Sequence, residues 1–154
     1  MSINKYINAV KNAPIIMEEH DEMDTFIKIK VYDNEFMGVA CCHEDDVDFY
    51  SPIVGGTIAH MRAMMSALDW EIWRLEDAVR EMKHMYASIS QSINPAIADP
   101  TGKFKIYIYK QENKLKKLKT AKRALKKELA AYLKDQTKAI ELLQRSRANT
   151  DKQN

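Results

Sequence analysis

Residues 43 to 65, HEDDVDFYSPIVGGTIAHMRAMM, gather the side chains that could do chemistry. Glu44, Asp45, Asp46 and Asp48 precede a Ser-Pro step, Gly55-Gly56 interrupt an apolar run, and Cys41, Cys42, His43 and His60 flank them. Zinc would draw on the cysteines and histidines, but zinc ligands come as spaced pairs and these cysteines are adjacent. Calcium would draw on the carboxylates, which lack the glycine and the spacing of a calcium loop. Gly55-Gly56 has neither the longer glycine pattern of a phosphate loop nor the Lys-Ser/Thr that follows one. A glycine-rich first helical turn still exposes backbone N–H groups, and with His60 and Arg62 one turn on it could receive an anionic ligand. A catalytic centre needs a nucleophile, a base and an orienting group together, and no such set is visible. We therefore expect no enzyme, no metal and no cofactor.

The simpler reading of this stretch is a helix start. Ser51 can cap, Pro52 suits the first helical position, where its missing N–H costs nothing, and the four carboxylates sit near the positive end of the helix dipole. A second cluster, GKFKIYIYKQENK, interleaves Phe104, Tyr107 and Tyr109 with Lys103, Lys105 and Lys110. Aromatics and cations so mixed can stack bases and hold phosphates. The competing reading makes Phe104 and Ile108 seam residues and the lysines a solvated face. KLKKLKTAKRALKK likewise reads as a basic face with leucines at helical spacing, able to touch nucleic acid or the acidic half of the chain.

Several elements must position these residues. INKYINAVKN predicts a short helix stopped by Pro14, and PIIM at 14–17 a strand. FIKIKVYDNEFMGVACC alternates as a β-hairpin turning at Asp33-Asn34. A lone hairpin is marginal, so it needs another strand, a covering helix or a second chain. From Ser51 the period changes. Ile58, Met61, Met65, Leu68, Ile72, Leu75, Val79, Met82, Tyr86, Ile89 and Ile93 recur at spacings of three and four, a coiled-coil seam. Such a helix would run roughly 60 Å. NPAIADPTG breaks it, and Asp99-Pro100 repeats the cap-then-proline pattern. The next segment alternates Ile and Tyr like a strand, and we read it as helix. Leu115, Leu118, Leu125, Leu129, Tyr132, Ile140 and Leu143 then mark a second seam, with Lys122 and Gln136 at core-type positions that set register. Met64, Trp70 and Trp73 fall outside the first seam, which implies a second partner surface, supplied by another chain.

The expected fold is α+β: a small N-terminal antiparallel sheet or hairpin followed by two long antiparallel helices forming a coiled-coil hairpin, in a homodimer or higher oligomer. One domain would span 1–154, with a β-rich part (1–50), a long helix (51–93), a loop (94–102), a basic helix (103–148) and a frayed tail (149–154). The 154 residues, 45% hydrophobic, contain four Gly and four Pro, leaving little room for a flexible linker. No run of about 18 apolar residues exists and the N-terminus lacks a signal-peptide pattern, so the expected location is a cytoplasm without membrane association. Cys41 and Cys42 read as reduced core thiols. The net charge of +2 conceals a polar distribution. Through Gly102 there are eight Lys and Arg against 17 Asp and Glu; from Lys103 onward there are 16 against five. The halves should attract, within the chain or between chains.

The segment GVACCHEDDVDFYSPIVGGTIAHMRAMMSAL resembles small proteins encoded by phages of Gram-positive bacteria, in which a strand ending in cysteine leads to an acidic DxxDF step, a glycine and an IAxxRA helix start. Cys42, Asp45, Asp48, Phe49, Gly56, Ile58, Ala59, Arg62 and Ala63 carry the likeness over roughly a fifth of the chain. The doubled cysteine and the inserted Ser-Pro depart from it. The architecture is similar to that of the phage Thoeris anti-defence sponges, which sequester cyclic ADP-ribose isomers made by an immune TIR enzyme without cleaving them. That resemblance implies an oligomer whose helices form nucleotide pockets from an aromatic stack and arginines. On residue chemistry alone, Arg62, Asn94, Phe104 and Arg123 are the ligand-binding candidates, since aromatic faces stack adenine and guanidinium forks grip phosphates. The expected function is thus phage counter-defence by binding a cyclic nucleotide signal in the host bacterial cytoplasm. The alternatives are an anti-CRISPR-like inhibitor of a host defence nuclease, a basic coiled-coil nucleic-acid binder and a phage structural component.

Overall fold

The computed structural model describes residues 2–43, 51–92, 99 and 102–150, the side chains of 92 and 146–150 excepted. Helix α1 (Ile3–Lys11) starts at Ser2, whose Oγ accepts from the Lys5 N–H at 3.4 Å, and buries Ile3, Tyr6 and Val10 on one face. Strands β1 (Ile15–His20), β2 (Asp24–Val31) and β3 (Asn34–Cys41) form an antiparallel sheet in the order β1-β2-β3. Period-two alternation puts Thr25, Ile27, Ile29 and Val31 of β2 on the covered face, opposite His20, Glu18 and Ile15 of β1 and Ala40, Gly38, Phe36 and Asn34 of β3. Strand β1 outruns the expected PIIM segment. Its Glu18-Glu19-His20 end is charged and exposed, and is held by backbone pairing past a register shift between Ile15 and Met17.

The hairpin turn corrects our reading. Val31 pairs with Asn34, so Tyr32-Asp33 is the two-residue loop and Asn34 belongs to β3. Tyr32 takes the positive φ, 55°, that such a loop requires, and its ring stacks on Tyr6 with centroids 6.2 Å apart.

Helix α2 (Pro52–Ser92) follows Ser51, whose Oγ accepts from the Val54 N–H at 3.5 Å and whose carbonyl accepts from Gly55. Helix α3 (Lys103–Thr150) begins after Gly102, at φ 62°, with the Asp99 carboxylate accepting from the Phe104 and Lys105 N–H groups. The Ile/Tyr segment is therefore helical, and the helix continues two residues past the expected 148. The two helices run antiparallel. Lys83 pairs with Glu112, Lys119 with Glu76 and Lys122 with Asp69, and Phe104 stacks on Tyr86 at 5.6 Å. Leu68, Ile72, Leu75 and Val79 of the expected seam are buried, Ile58, Met61, Met65 and Met82 partly so, while Ile89 is exposed and Ile93 lies outside the described residues. From α3, Ile108, Leu118 and Leu129 face them, with Gln111 buried in the same row.

The second apolar face of α2 is covered within the chain. Ala59, Ala63 and Ala67 are fully buried, and Met64 packs partly against the same core. Gly38 permits this close approach, because a Cβ there would collide with the backbone of Ala59 and Ala63. Trp70 meets Phe36 edge-on, whereas Trp73 stays 66% exposed. The expected core thiols are corrected too: alternation along β3 buries Ala40 and turns Cys41 to the exposed face, and Cys42, past the strand end, is only partly buried.

Candidate functional site

A cavity of about 250 Å³ lies where the end of β3, the first turns of α2 and the distal part of α3 meet. Ala40, Cys41, Cys42 and His43 form one wall, Ser51, Val54, Gly55 and Ile58 a second, and Leu133, Gln136, Thr137 and Ile140 the third. Each wall has a local cause. Strand β3 stops at Cys41, the Ser51 cap starts α2 with backbone N–H groups at its head, and antiparallel pairing brings residues 133–140 of α3 opposite that start.

The lining combines the apolar side chains of Val54, Ile58, Leu133 and Ile140 with polar groups. Gln136 offers an amide donor and acceptor, while the Thr137 hydroxyl already donates to the Leu133 carbonyl at 3.0 Å. A hydrogen bond to the Asp24 carboxylate is the main cause holding the Cys41 thiol above its ordinary range, opposed by the nearby Arg62 charge. A thiol so held is mostly protonated near neutral pH, which suits contact with a ligand better than attack on one. The positive end of α2 favours a ligand with an apolar or aromatic body and an anionic edge.

The four candidate binding residues do not converge in one chain. The Arg62 Nη1 donates to the Val39 carbonyl at 2.6 Å, beside the cavity and on the free edge of β3. Phe104 stacks on Tyr86, 24 residues further along α2 and so about 36 Å away. Lys105 lies over the same Tyr86 ring, 5.6 Å from its centroid. Arg123 is exposed in the middle of α3. Asn94 and the carboxylates at 44–48 lie outside the described residues. Among the described residues no three His, Cys, Asp or Glu are grouped to hold a metal, and no helix is long and apolar enough to cross a membrane.

Sequence reasoning missed the third wall. Gln136 was legible as a polar seam position, but its place opposite Ile58 depends on the register between the helices, which no local pattern encodes. It also missed a polar nook of about 140 Å³ where Tyr6, Glu71, Arg74 and Lys114 meet. There Arg74 holds the buried Glu71 carboxylate with two hydrogen bonds, 2.9 and 2.7 Å, and lies 5.8 Å from the Trp70 ring centroid. No protein-family model matches the chain, and neither curated proteins nor solved structures give a match.

Proposed function

We propose that the protein is a phage counter-defence factor that works by stoichiometric binding, sequestering a cyclic nucleotide immune signal of the cyclic ADP-ribose type. The observation that supports this most is the cavity at the head of α2. Two of its three walls come from the segment that carries the resemblance to small phage proteins, and its polarity suits an anionic, aromatic ligand. At about 250 Å³ it is slightly smaller than the roughly 300–1,000 Å³ of typical ligand sites, and in the proposed oligomer a second chain completes it. A neighbour's Phe104 or Arg123 could supply the aromatic stack and the cation that one chain keeps far from Arg62. The decisive experiment is native mass spectrometry of protein purified from bacteria with an active TIR-type nucleotide defence, followed by heat release. We expect one intact cyclic nucleotide per site, and its loss from an Ile58→Trp variant that fills the cavity but remains helical. Protein that stays unliganded under saturating signal would sink the proposal.

One observation favours the second reading, an inhibitor that binds a host defence nuclease. Trp73 is 66% exposed and Met37 is 49% exposed, and tryptophan is over-represented among the residues that dominate protein interfaces. If the cavity stays unliganded, the same preparation distinguishes this reading by whether the intact protein, but not Trp73→Ala, abolishes cleavage by the defence nuclease.

A further inference from the structure

We infer that the outward face of α3 docks on the phosphate backbone of double-stranded DNA. Lys105, Lys116, Lys127 and Lys138 recur every eleven residues, and Arg123, Lys134 and Arg145 recur every eleven residues between them. Eleven residues make almost three whole helical turns, and the two sets are offset by seven, almost two turns. All seven cations therefore project within an arc of about 60°. All seven are exposed; Lys105 turns its Nζ over the Tyr86 ring of α2, and the other six extend over about 44 Å of helix.

The pairing of charges differs sharply between the two sides of this helix. Toward α2, Glu112, Lys119 and Lys122 of α3 each meet an opposite charge on α2. On the outward face, Lys116, Arg123, Lys127, Lys134, Lys138 and Arg145 have no ion pair among the described residues. Glu141 is the one carboxylate within the arc, so these six cations leave the face a net charge of +5. Arg123 with Lys127 and Lys134 with Lys138 are like charges four residues apart, an arrangement that opposes helix formation. A face that only needed solvation would be more stable with alternating signs.

Charge complementarity identifies the occupant as a long, regular polyanion. Duplex DNA presents one negative charge per about 1.7 Å of its axis, enough to meet the whole row, whereas an acidic peptide would meet a few cations. The arc contains Tyr109 and Thr120 but no Leu, Ile, Val, Met or Phe, so it lacks the apolar stripe that a membrane-surface helix buries. Contacts to phosphates alone predict binding that is indifferent to base sequence and steep in salt.

The test is fluorescence anisotropy of the full chain with a 30-base-pair duplex, in two unrelated sequences, across a salt series. Four phosphate contacts or more give a slope of log K against log salt of about −3.6 or steeper, equal for both sequences. Replacing Lys116, Arg123, Lys127 and Lys134 with Gln should flatten that slope by about 3.6 and weaken binding at least tenfold at 100 mM salt, with helicity by circular dichroism unchanged. Lys127→Glu alone should weaken it in the same direction, and Lys5→Gln/Lys11→Gln/Lys30→Gln, off the row, should not. A flat salt dependence, undiminished binding by the fourfold variant, or an equal loss in the off-row variant would overturn the inference. So would binding to phosphatidylglycerol vesicles in place of the duplex.

Discussion

The Tyr6 hydroxyl donates to the Ala67 carbonyl at 2.9 Å and thereby ties α1 to the middle of α2. Burial first, and then the Glu71 charge, raise its pKa from 10.0 to about 12. The phenol holds its proton more tightly folded than unfolded, so its contribution is intact below pH 10 and is lost as pH rises toward 12. We expect unfolding stability, measured by urea titration, to fall between pH 10 and 12 more steeply in the native chain than in Tyr6→Phe. The variant should also be less stable at pH 7 by about 1 kcal/mol, since it removes one buried hydrogen bond. Equal slopes would mean that the phenol is not the source. Arg62 belongs to the same scale. Its guanidinium and the Ser66 hydroxyl donate to the Val39 and Met37 carbonyls on the free edge of β3, so they cover a strand edge that could otherwise pair with another chain.

Between elements, Leu118 of α3 is fully buried in the core it shares with α2, whereas Leu142, about 120° around the same helix, is 65% exposed. Leu118→Ala should cost about 2–5 kcal/mol through lost transfer energy plus a cavity. Leu142→Ala should stay within about 0.5 kcal/mol. Urea midpoints of the two variants compare them directly, and similar small losses would contradict the docking of α3 along α2. The ion pairs across this contact have side chains 36–57% exposed, so they set alignment more than stability.

At the scale of the whole molecule, the acidic N-terminal two-thirds and the basic α3 neutralise each other only along their shared face. What remains is an outward cationic row and isolated apolar side chains, Ile53 at 82% and Trp73 at 66% exposure among them. The proposed shared nucleotide site requires a second chain. Sedimentation equilibrium should therefore return at least twice the 17.8 kDa of one chain at micromolar concentration. A monomer at that concentration would remove the two-chain version of the site, whatever the outcome for DNA.

Local patterns in the sequence determined the elements. The two-residue alternation of Ile27, Ile29 and Val31 required a strand, spacings of three and four from Ile58 onward required a long helix, and Ser51-Pro52 marked its start. These periods arise from backbone geometry within a few residues, so they can be read without knowing the neighbours. Tertiary structure decided what depends on register and layer. Tyr32 rather than Asn34 occupies the turn because pairing with β2 sets it, and Ala59, Ala63 and Ala67 meet the sheet because Gly38 lets the backbones approach. Gln136 reaches the cavity because α3 lies antiparallel at one offset out of several that the seam allows. Arg62 and Phe104 both suit a nucleotide by residue type, yet they lie at opposite ends of the helical pair. Residue type is local, whereas convergence is a property of how long elements are aligned.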